Sequence, residues 1–540
     1  MPEVAIPRAT FAAVRAALLE RREIALLDVR EEAPHAEGHP LFAANLPLSR
    51  LELDVLERLP RRSTPIITLD DAGKSGGYAE RAARKLAALG YTDVAVLADG
   101  IAGWRAAGGE LFRDVNVPSK AFGELVDATA HPPSLTAEEV RSLLDANADV
   151  IVVDVRRFDE YQTMSIPTGI SVPGAELALR LPELAPNPQT QIIVNCAGRT
   201  RSIIGAQSLI NFGLPNPVAA LRNGTIGWLL VGQTLEHGQT RRFGPVTEAN
   251  RKASAEKAKR LAQRAGVRET NLAEIENWKS ETNRTTYRID VRTPREYEAG
   301  HLAGFVSVPG GQLVQETEMS LPVRGARVVL MDTDGVRANM TSSWLAQMDW
   351  EVYVLHADPV ILTQTGATTR LLPPLPTPAA IPPAHLRTRL DRGDNIVIID
   401  LALHADYRRG HIPGAWYVLR AELSGEFVRE KLPAANFYVL TSPDGILARF
   451  AHADLLAAFR ETRKNPPAAL VLEGGTNAWK SAGFPLSGDT THLASPLLDR
   501  YHRPYEGTNS SPEAMQAYLD WEFGLVEQLR SDGTHHFRVL

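Results

Sequence analysis

One pattern recurs four times along this 540-residue chain and restricts the fold to tandem copies of a single unit. Each copy contains a short run of branched apolar residues that ends in an aspartate, at Asp28, Asp154, Asp290 and Asp400. Roughly 40 residues later, a second apolar run leads through a polar loop into a segment with helical spacing of its apolar residues. A repeat of this length indicates a chain built from several copies of one supersecondary unit.

Apolar runs alternate with amphipathic segments, which predicts parallel strands covered by helices on both faces. We therefore predict an α/β protein of four tandem doubly wound modules with central parallel sheets, followed by a C-terminal helical extension. Composition between the repeats places the modules at 1–113, 134–245, 267–370 and 384–487, and the extension at 488–540. Within the extension, the run Ser511-Pro512-Glu513 is typical of a helix start, and the apolar residues after it predict a helix that docks on another module or in a dimer contact.

Cys196 is the only cysteine of the chain and begins the polar loop of the second copy. A cysteine reacts as its thiolate, so a nucleophilic role requires something that favours the anion. Loop amides, the start of the following helix and two arginines supply three such influences. We therefore expect a lowered pKa for Cys196, and a nucleophile rather than an inert buried thiol. The substrate-binding residues of this loop are predicted to be Ala197, Gly198, Arg199, Thr200, Arg201 and Ser202.

The other three copies offer no sulfur at the corresponding loop position. Aligned by the helix that follows, the third copy has Asp332 there and the fourth has Ser442, while the first has Asp70 or Asp71. An aspartate would repel an anionic substrate, and a serine hydroxyl lacks the readiness of a thiolate to attack sulfur. We predict that these three modules are catalytically inactive.

Taken together, the repeated motifs resemble the rhodanese family of sulfurtransferases. The resemblance is carried by the aspartate-ending strand, the cysteine loop, and segments such as Gly410-His411-Ile412-Pro413-Gly414-Ala415 and Gly474-Gly475-Thr476-Asn477-Ala478-Trp479. It implies a six-residue loop, Cys196 to Arg201, whose backbone amides hold a persulfide on the cysteine. The supporting residues that it implies are Asp154 and Arg156 at the end of the preceding strand, with Arg222 and Asn223 near the same pocket.

The function implied by this resemblance is transfer of sulfane sulfur from thiosulfate or a similar donor to a thiol or cyanide, by double displacement through a Cys196 persulfide and without a cofactor. A sulfur-relay or scaffold protein, whose inactive modules bind partners and which passes sulfur to a protein acceptor, is an alternative. A cysteine-dependent phosphatase of the same fold is disfavoured. Its loop needs five residues between cysteine and arginine, whereas Cys196 and Arg201 have four between them.

Composition restricts the remaining classes of function. The formal net charge of −6 disfavours a nucleic-acid binder. A single cysteine excludes an intrachain disulfide framework and a cysteine-cluster zinc site, so no metal is predicted. No apolar run reaches the roughly 20 residues of a membrane span, and we expect a cytoplasmic protein with no membrane partner. The oligomeric state is left open.

Overall fold

The computed structural model describes residues 5–462, 465, 467–507 and 509–540. Four sheets follow one another along the chain. In each of the last three, the five strands lie side by side in the order first, fifth, fourth, second and third, counted along the chain within the sheet. Neighbouring strands within these three sheets are parallel, and helices flank each sheet. The predicted α/β class with four modules and a helical extension is confirmed.

The first two modules contain the predicted alternation of strands and helices. In the first module the elements are β1 (Arg8–Ala9), α1 (Phe11–Leu19), β2 (Ile24–Asp28), α2 (Glu32–Glu37), β3 (Ala44–Asn45), α3 (Leu51–Arg58), β4 (Ile66–Leu69), α4 (Tyr78–Ala88), β5 (Val94–Leu97) and α5 (Gly100–Ala106). Helix α6 (Val117–Ala130) connects it to β6 (Ser134–Leu135), α7 (Ala137–Asp145), β7 (Val150–Asp154), α8 (Phe158–Thr163), β8 (Ile170–Ser171), α9 (Leu177–Leu184), β9 (Gln191–Asn195), α10 (Thr200–Phe212), β10 (Val218–Leu221) and α11 (Gly224–Leu230).

The last two modules and the extension follow after a long connecting helix, α12 (Glu248–Ala265). The third module has β11 (Arg268–Glu269), α13 (Leu272–Lys279), β12 (Thr286–Asp290), α14 (Pro294–Ala299), β13 (Val306–Ser307), α15 (Gly310–Gln315), α16 (Thr317–Ser320), β14 (Val323–Arg324), β15 (Arg327–Asp332), α17 (Arg337–Gln347) and β16 (Glu351–His356). The fourth has β17 (Ala380–Ile381), α18 (Pro383–Asp391), β18 (Ile396–Asp400), α19 (His404–Arg409), β19 (Trp416–Tyr417), α20 (Gly425–Lys431), β20 (Phe437–Thr441), α21 (Ile446–Thr462), β21 (Ala468–Leu472) and α22 (Gly475–Ser481). The extension contains α23 (Pro512–Phe523) and α24 (Leu525–Asp532).

One strand crosses between modules. Strand β14 of the third module pairs antiparallel with β2 of the first, with Val323 opposite Ala25, and so extends the first sheet. A two-residue strand carries no alternation that sequence reasoning could detect. It makes modules one and three share a sheet.

The aspartate that ends each central strand has a structural explanation in the first three modules. Asp154 is buried, and its carboxylate binds the guanidinium of Arg156 at 2.7 Å. The same pairing joins Asp28 to Arg30 in the first module and Asp290 to Arg292 in the third. A buried carboxylate requires such a partner because desolvation otherwise disfavours its charge.

The extension reaches back to the middle of the chain. Its helices α23 and α24 both contact α6, and α6 in turn packs on α10 of the second module. The docking helix predicted from sequence therefore lies on the second module and its linker. Among the described residues, no helix has the length and apolar character that a bilayer span requires.

Candidate active site

Cys196 lies in the turn between β9 and α10, at the carboxyl end of a central strand. Its carbonyl accepts a hydrogen bond from the Thr225 amide at 3.0 Å, and that of Ala197 accepts one from Ile226 at 3.0 Å. Gly224 permits this approach, since an added Cβ would lie 2.3 Å from the Cys196 carbonyl oxygen and its φ of +52° is left-handed. The start of α11 therefore holds the loop in place.

The corresponding loops of the other modules show which chemical group this turn accommodates. The carboxylate of Asp332 accepts hydrogen bonds from the amides of Gly335, at 3.0 Å, and Ala338, at 2.8 Å. Ser442 accepts from the amide of Ala448, six residues later, at 3.4 Å. In the first module, Asp70 rather than Asp71 has this position. Its carboxylate accepts hydrogen bonds from the backbone amides of Ala72, Gly73 and Ala79. The turn thus presents N–H groups to the side chain that begins it, an arrangement suited to an anion.

Burial opposes ionisation of the thiol. The Cys196 side chain is 1% exposed, and burial raises the pKa of the thiol above its usual value, while Arg201 and hydrogen bonds from Ser202 act in the opposite direction. The lowered pKa predicted for Cys196 from the loop sequence is therefore wrong, because burial outweighs the effect of the nearby cation and amides. Sequence shows the nearby cations and amides but not how much water is excluded.

The two loop arginines are already paired with carboxylates. Arg199 makes a bidentate contact with Glu124 of α6, at 2.8 and 2.9 Å, and binds Asp127 at 2.8 Å. Arg201 makes a bidentate contact with Glu160 of α8, at 2.9 and 3.0 Å. The charges of both loop arginines are therefore compensated by carboxylates of the protein itself.

The supporting residues predicted from sequence fall into two groups. Asp154 and Arg156 form the buried pair described above and do not line the cavity beside Cys196, so their contacts are structural. Asn223 directly precedes α11, and its side-chain oxygen accepts a hydrogen bond from Arg199 at 3.4 Å, close to the loop. Arg222 instead points to Ser134, at 3.1 Å, away from the cavity.

The wall opposite Cys196 comes from other parts of the chain. The small cavity at the thiol has about 20 Å³ of space for the centre of a water molecule, which is room for about one water. Besides the loop residues Cys196 to Arg201, it is lined by Ser119, Lys120, Gln315, Tyr505, Tyr518 and Glu522. Sequence reasoning missed these residues, since nothing in the local pattern shows which module the extension covers.

A larger cavity of about 440 Å³ adjoins the small one and shares Gln315 and Tyr505 with it. It also reaches Glu160, the partner of Arg201, and is lined by residues from all four modules and the extension. Tyr505 and Gln315 thus stand between the thiol and this wider space.

The rhodanese-like domain model matches residues 12–107, 136–230, 271–357 and 382–482. The chain belongs to the rhodanese family. The crystal structure of thiosulfate sulfurtransferase from Pseudomonas aeruginosa is 59% identical to this rhodanese, covers 99% of this chain and 100% of that chain, and has a TM-score of 0.96. A crystal structure of the BH2092 protein from Bacillus halodurans is 22% identical over 21% of this chain and 81% of that chain, with a TM-score of 0.18. Among curated proteins, none matches.

Proposed function

We propose that this protein is a sulfurtransferase in which Cys196 carries sulfur as a persulfide, from thiosulfate or a similar donor to a thiol or cyanide. The observation that carries the proposal is the amide-lined turn. In the third and fourth modules, the oxygen of an aspartate or serine side chain accepts hydrogen bonds from the amides of this turn. In the second module, the thiol of Cys196 stands at the corresponding position. The similarity to a protein named thiosulfate sulfurtransferase supports the same donor.

The chemistry consists of two displacements at sulfur. The thiolate of Cys196 attacks the outer sulfur of thiosulfate, a bond forms between the two sulfurs, and the donor's S–S bond breaks with its electron pair leaving on sulfite. The acceptor, as a thiolate or cyanide, then attacks the outer sulfur of the persulfide, and Cys196 leaves as the thiolate. The loop amides stabilise negative charge on sulfur without reorganising during either step.

The sulfur atom on Cys196 is enclosed, which favours a small acceptor over a loop of another protein. The cavity of about 20 Å³ beside the thiol, lined by Tyr505 and Tyr518, holds the transferred sulfur atom alone, so thiosulfate and a small acceptor would reach it from the adjoining cavity of about 440 Å³. Loop length disfavours a phosphatase, because four residues rather than five separate Cys196 from Arg201.

The test is the intact mass of the protein after treatment with thiosulfate. We expect a gain of one sulfur, its loss on addition of cyanide, and no gain in Cys196→Ser. Ser442→Ala is a matched control, because it changes the same loop position in the fourth module and should load sulfur like the unmodified protein. Turnover retained by Cys196→Ser would contradict the assignment.

A further inference from the structure

Glu522 is a buried carboxyl in the wall that faces Cys196, and one of its oxygens lacks a protein partner. Its Oε1 accepts hydrogen bonds from the Tyr518 hydroxyl at 2.6 Å and the Thr200 hydroxyl at 3.3 Å. Its Oε2 is fully buried and has no hydrogen-bond partner among the described residues. An added Cβ on Gly198 would lie 3.5 Å from this oxygen, so Oε2 lies against the cysteine loop.

A buried polar atom without a partner is costly, and such atoms are found where a ligand completes the site. The cavity that Glu522 shares with Cys196 has room for about one water-sized group. The sulfur atom carried by a persulfide is a group of about this size and is attached to the side chain at the opposite wall. It is therefore suited to fill the cavity and to meet Oε2.

Resting on the function proposed above, we propose that Glu522 is a substrate-contacting residue of the sulfur-transfer site, and that its Oε2 acts as a carboxylic acid which donates a hydrogen bond to the anionic sulfur bound at Cys196. An ionised carboxylate would instead repel thiosulfate and the persulfide anion. The residue lies in the C-terminal extension, outside all four modules.

The surroundings of Glu522 favour the acid form. Burial raises its pKa to about 7, against the effects of Lys120 and the Tyr518 hydroxyl, which lower it. The ammonium of Lys120 is bound to Asp114 at 2.8 Å, and Arg199 is bound to Glu124, so both cations are largely compensated. The titratable and charged groups that face Glu522 or its immediate partners are Asp114, Lys120, Glu124, Asp127, Cys196, Arg199, Arg201, Tyr505 and Tyr518.

The sign of the pH effect follows from this protonation state. The O–H donor is present below a pH of about 7 and is lost above it, because the carboxyl then ionises. Between about pH 6 and about pH 8, the acid fraction of a group with this pKa falls about tenfold. Thiolate formation at Cys196 changes in the opposite direction over the same range, so the two contributions need to be separated.

The experiment compares the full-length protein with Glu522→Gln, whose side-chain amide cannot ionise. The rate constant of single-turnover sulfur loading from thiosulfate is measured by intact mass across this pH range. The thiolate fraction of each protein, obtained from the pH dependence of alkylation by iodoacetamide, is divided out. We expect the corrected rate of the unmodified protein, relative to Glu522→Gln, to fall about tenfold as the pH rises. A ratio that stays constant overturns the proposal.

Two further variants keep the test decisive. Glu527→Gln changes an exposed glutamate of the same extension, which pairs with its neighbour Arg530, and should follow the unmodified protein. Tyr518→Phe removes the hydroxyl that donates a hydrogen bond to Oε1 of Glu522 and thereby favours the ionised form. The pH at which loading declines should therefore move upward in this variant. An unchanged midpoint argues against the proposal even if Glu522→Gln does not fold.

The two proposals fail in different ways. If the unmodified protein gains no sulfur at any pH, the sulfurtransferase assignment itself fails. If it gains sulfur but the ratio to Glu522→Gln stays constant with pH, only the role of Glu522 fails.

Discussion

The fourth module contains a buried aspartate without the arginine that its counterparts have. Position 402 is alanine, where the first three modules have Arg30, Arg156 and Arg292. The Asp400 carboxylate accepts a hydrogen bond from the amide of residue 402 at 2.9 Å, and burial raises its pKa to about 7. This side chain should therefore make the stability of the fourth module depend on pH.

The magnitude follows from the difference between the folded and the usual pKa of Asp400. The gap between about 7 and the usual 3.8 corresponds to about 4 kcal/mol of folding free energy. The folded state holds the proton more tightly, so the stability is fully present below a pH of about 4 and is lost as the pH rises to about 7. Above that pH the folded module carries a constant penalty for a buried, unpaired charge.

Asp400→Asn removes the titration and keeps an oxygen that can accept from the amide of residue 402. Hydrogen exchange, followed by mass spectrometry on peptides from β18 and β20, should show protection at about pH 8 that exceeds the unmodified protein by up to about three orders of magnitude, equivalent to about 4 kcal/mol. The difference should vanish near pH 4. Asp154→Asn is the matched control and should lower protection of β7, because it leaves Arg156 without its partner. Equal protection of β18 and β20 in Asp400→Asn and the unmodified protein at about pH 8 would refute this reasoning.

Three further changes probe the site and its support. Gly224→Ala places a methyl group against the Cys196 carbonyl and should abolish sulfur loading, measured by intact mass, whereas Gly232→Ala, with no atom within 4 Å of the added Cβ, should still load. Arg156→Leu leaves its aspartate partner buried and unpaired and should lower the free energy of unfolding by about 3–5 kcal/mol in urea titrations; a loss below about 1 kcal/mol would contradict the pairing argument. Tyr505→Ala joins the small cavity to its larger neighbour and should speed iodoacetamide alkylation of the thiol, and an unchanged rate would show that this ring does not limit access.

The parts of the site that sequence predicted are local in the chain. The turn from β9 to α10 follows from an apolar strand, a short polar loop and a helix that ends at Gly213, whose φ of +73° suits a helix terminus. Repetition of this pattern also predicted the four modules. Each of these inferences needs only neighbouring residues, where spacing alone carries the information.

The parts that sequence could not predict depend on contacts between distant segments. The partner of Arg199 is Glu124, in a linker that precedes it by 75 residues, and nothing in either segment marks the pair. The pKa of Cys196 depends on how completely the extension excludes water from the loop, which is a property of packing. For this reason the direction predicted for the thiol was wrong although the loop itself was correctly located.

The linker helix α6, the third module and the C-terminal extension together close the cavity beside Cys196. Buried ion pairs join modules across the assembly: Arg337 of the third binds Glu176 of the second at 2.8 Å, and Arg420 of the fourth binds Glu52 of the first at 2.5 Å. Replacing one member of such a pair would leave an uncompensated buried charge and would destabilise the contact between its two modules. The arrangement keeps Gln315 of the third module and Tyr505 of the extension in the wall of the cavity at Cys196.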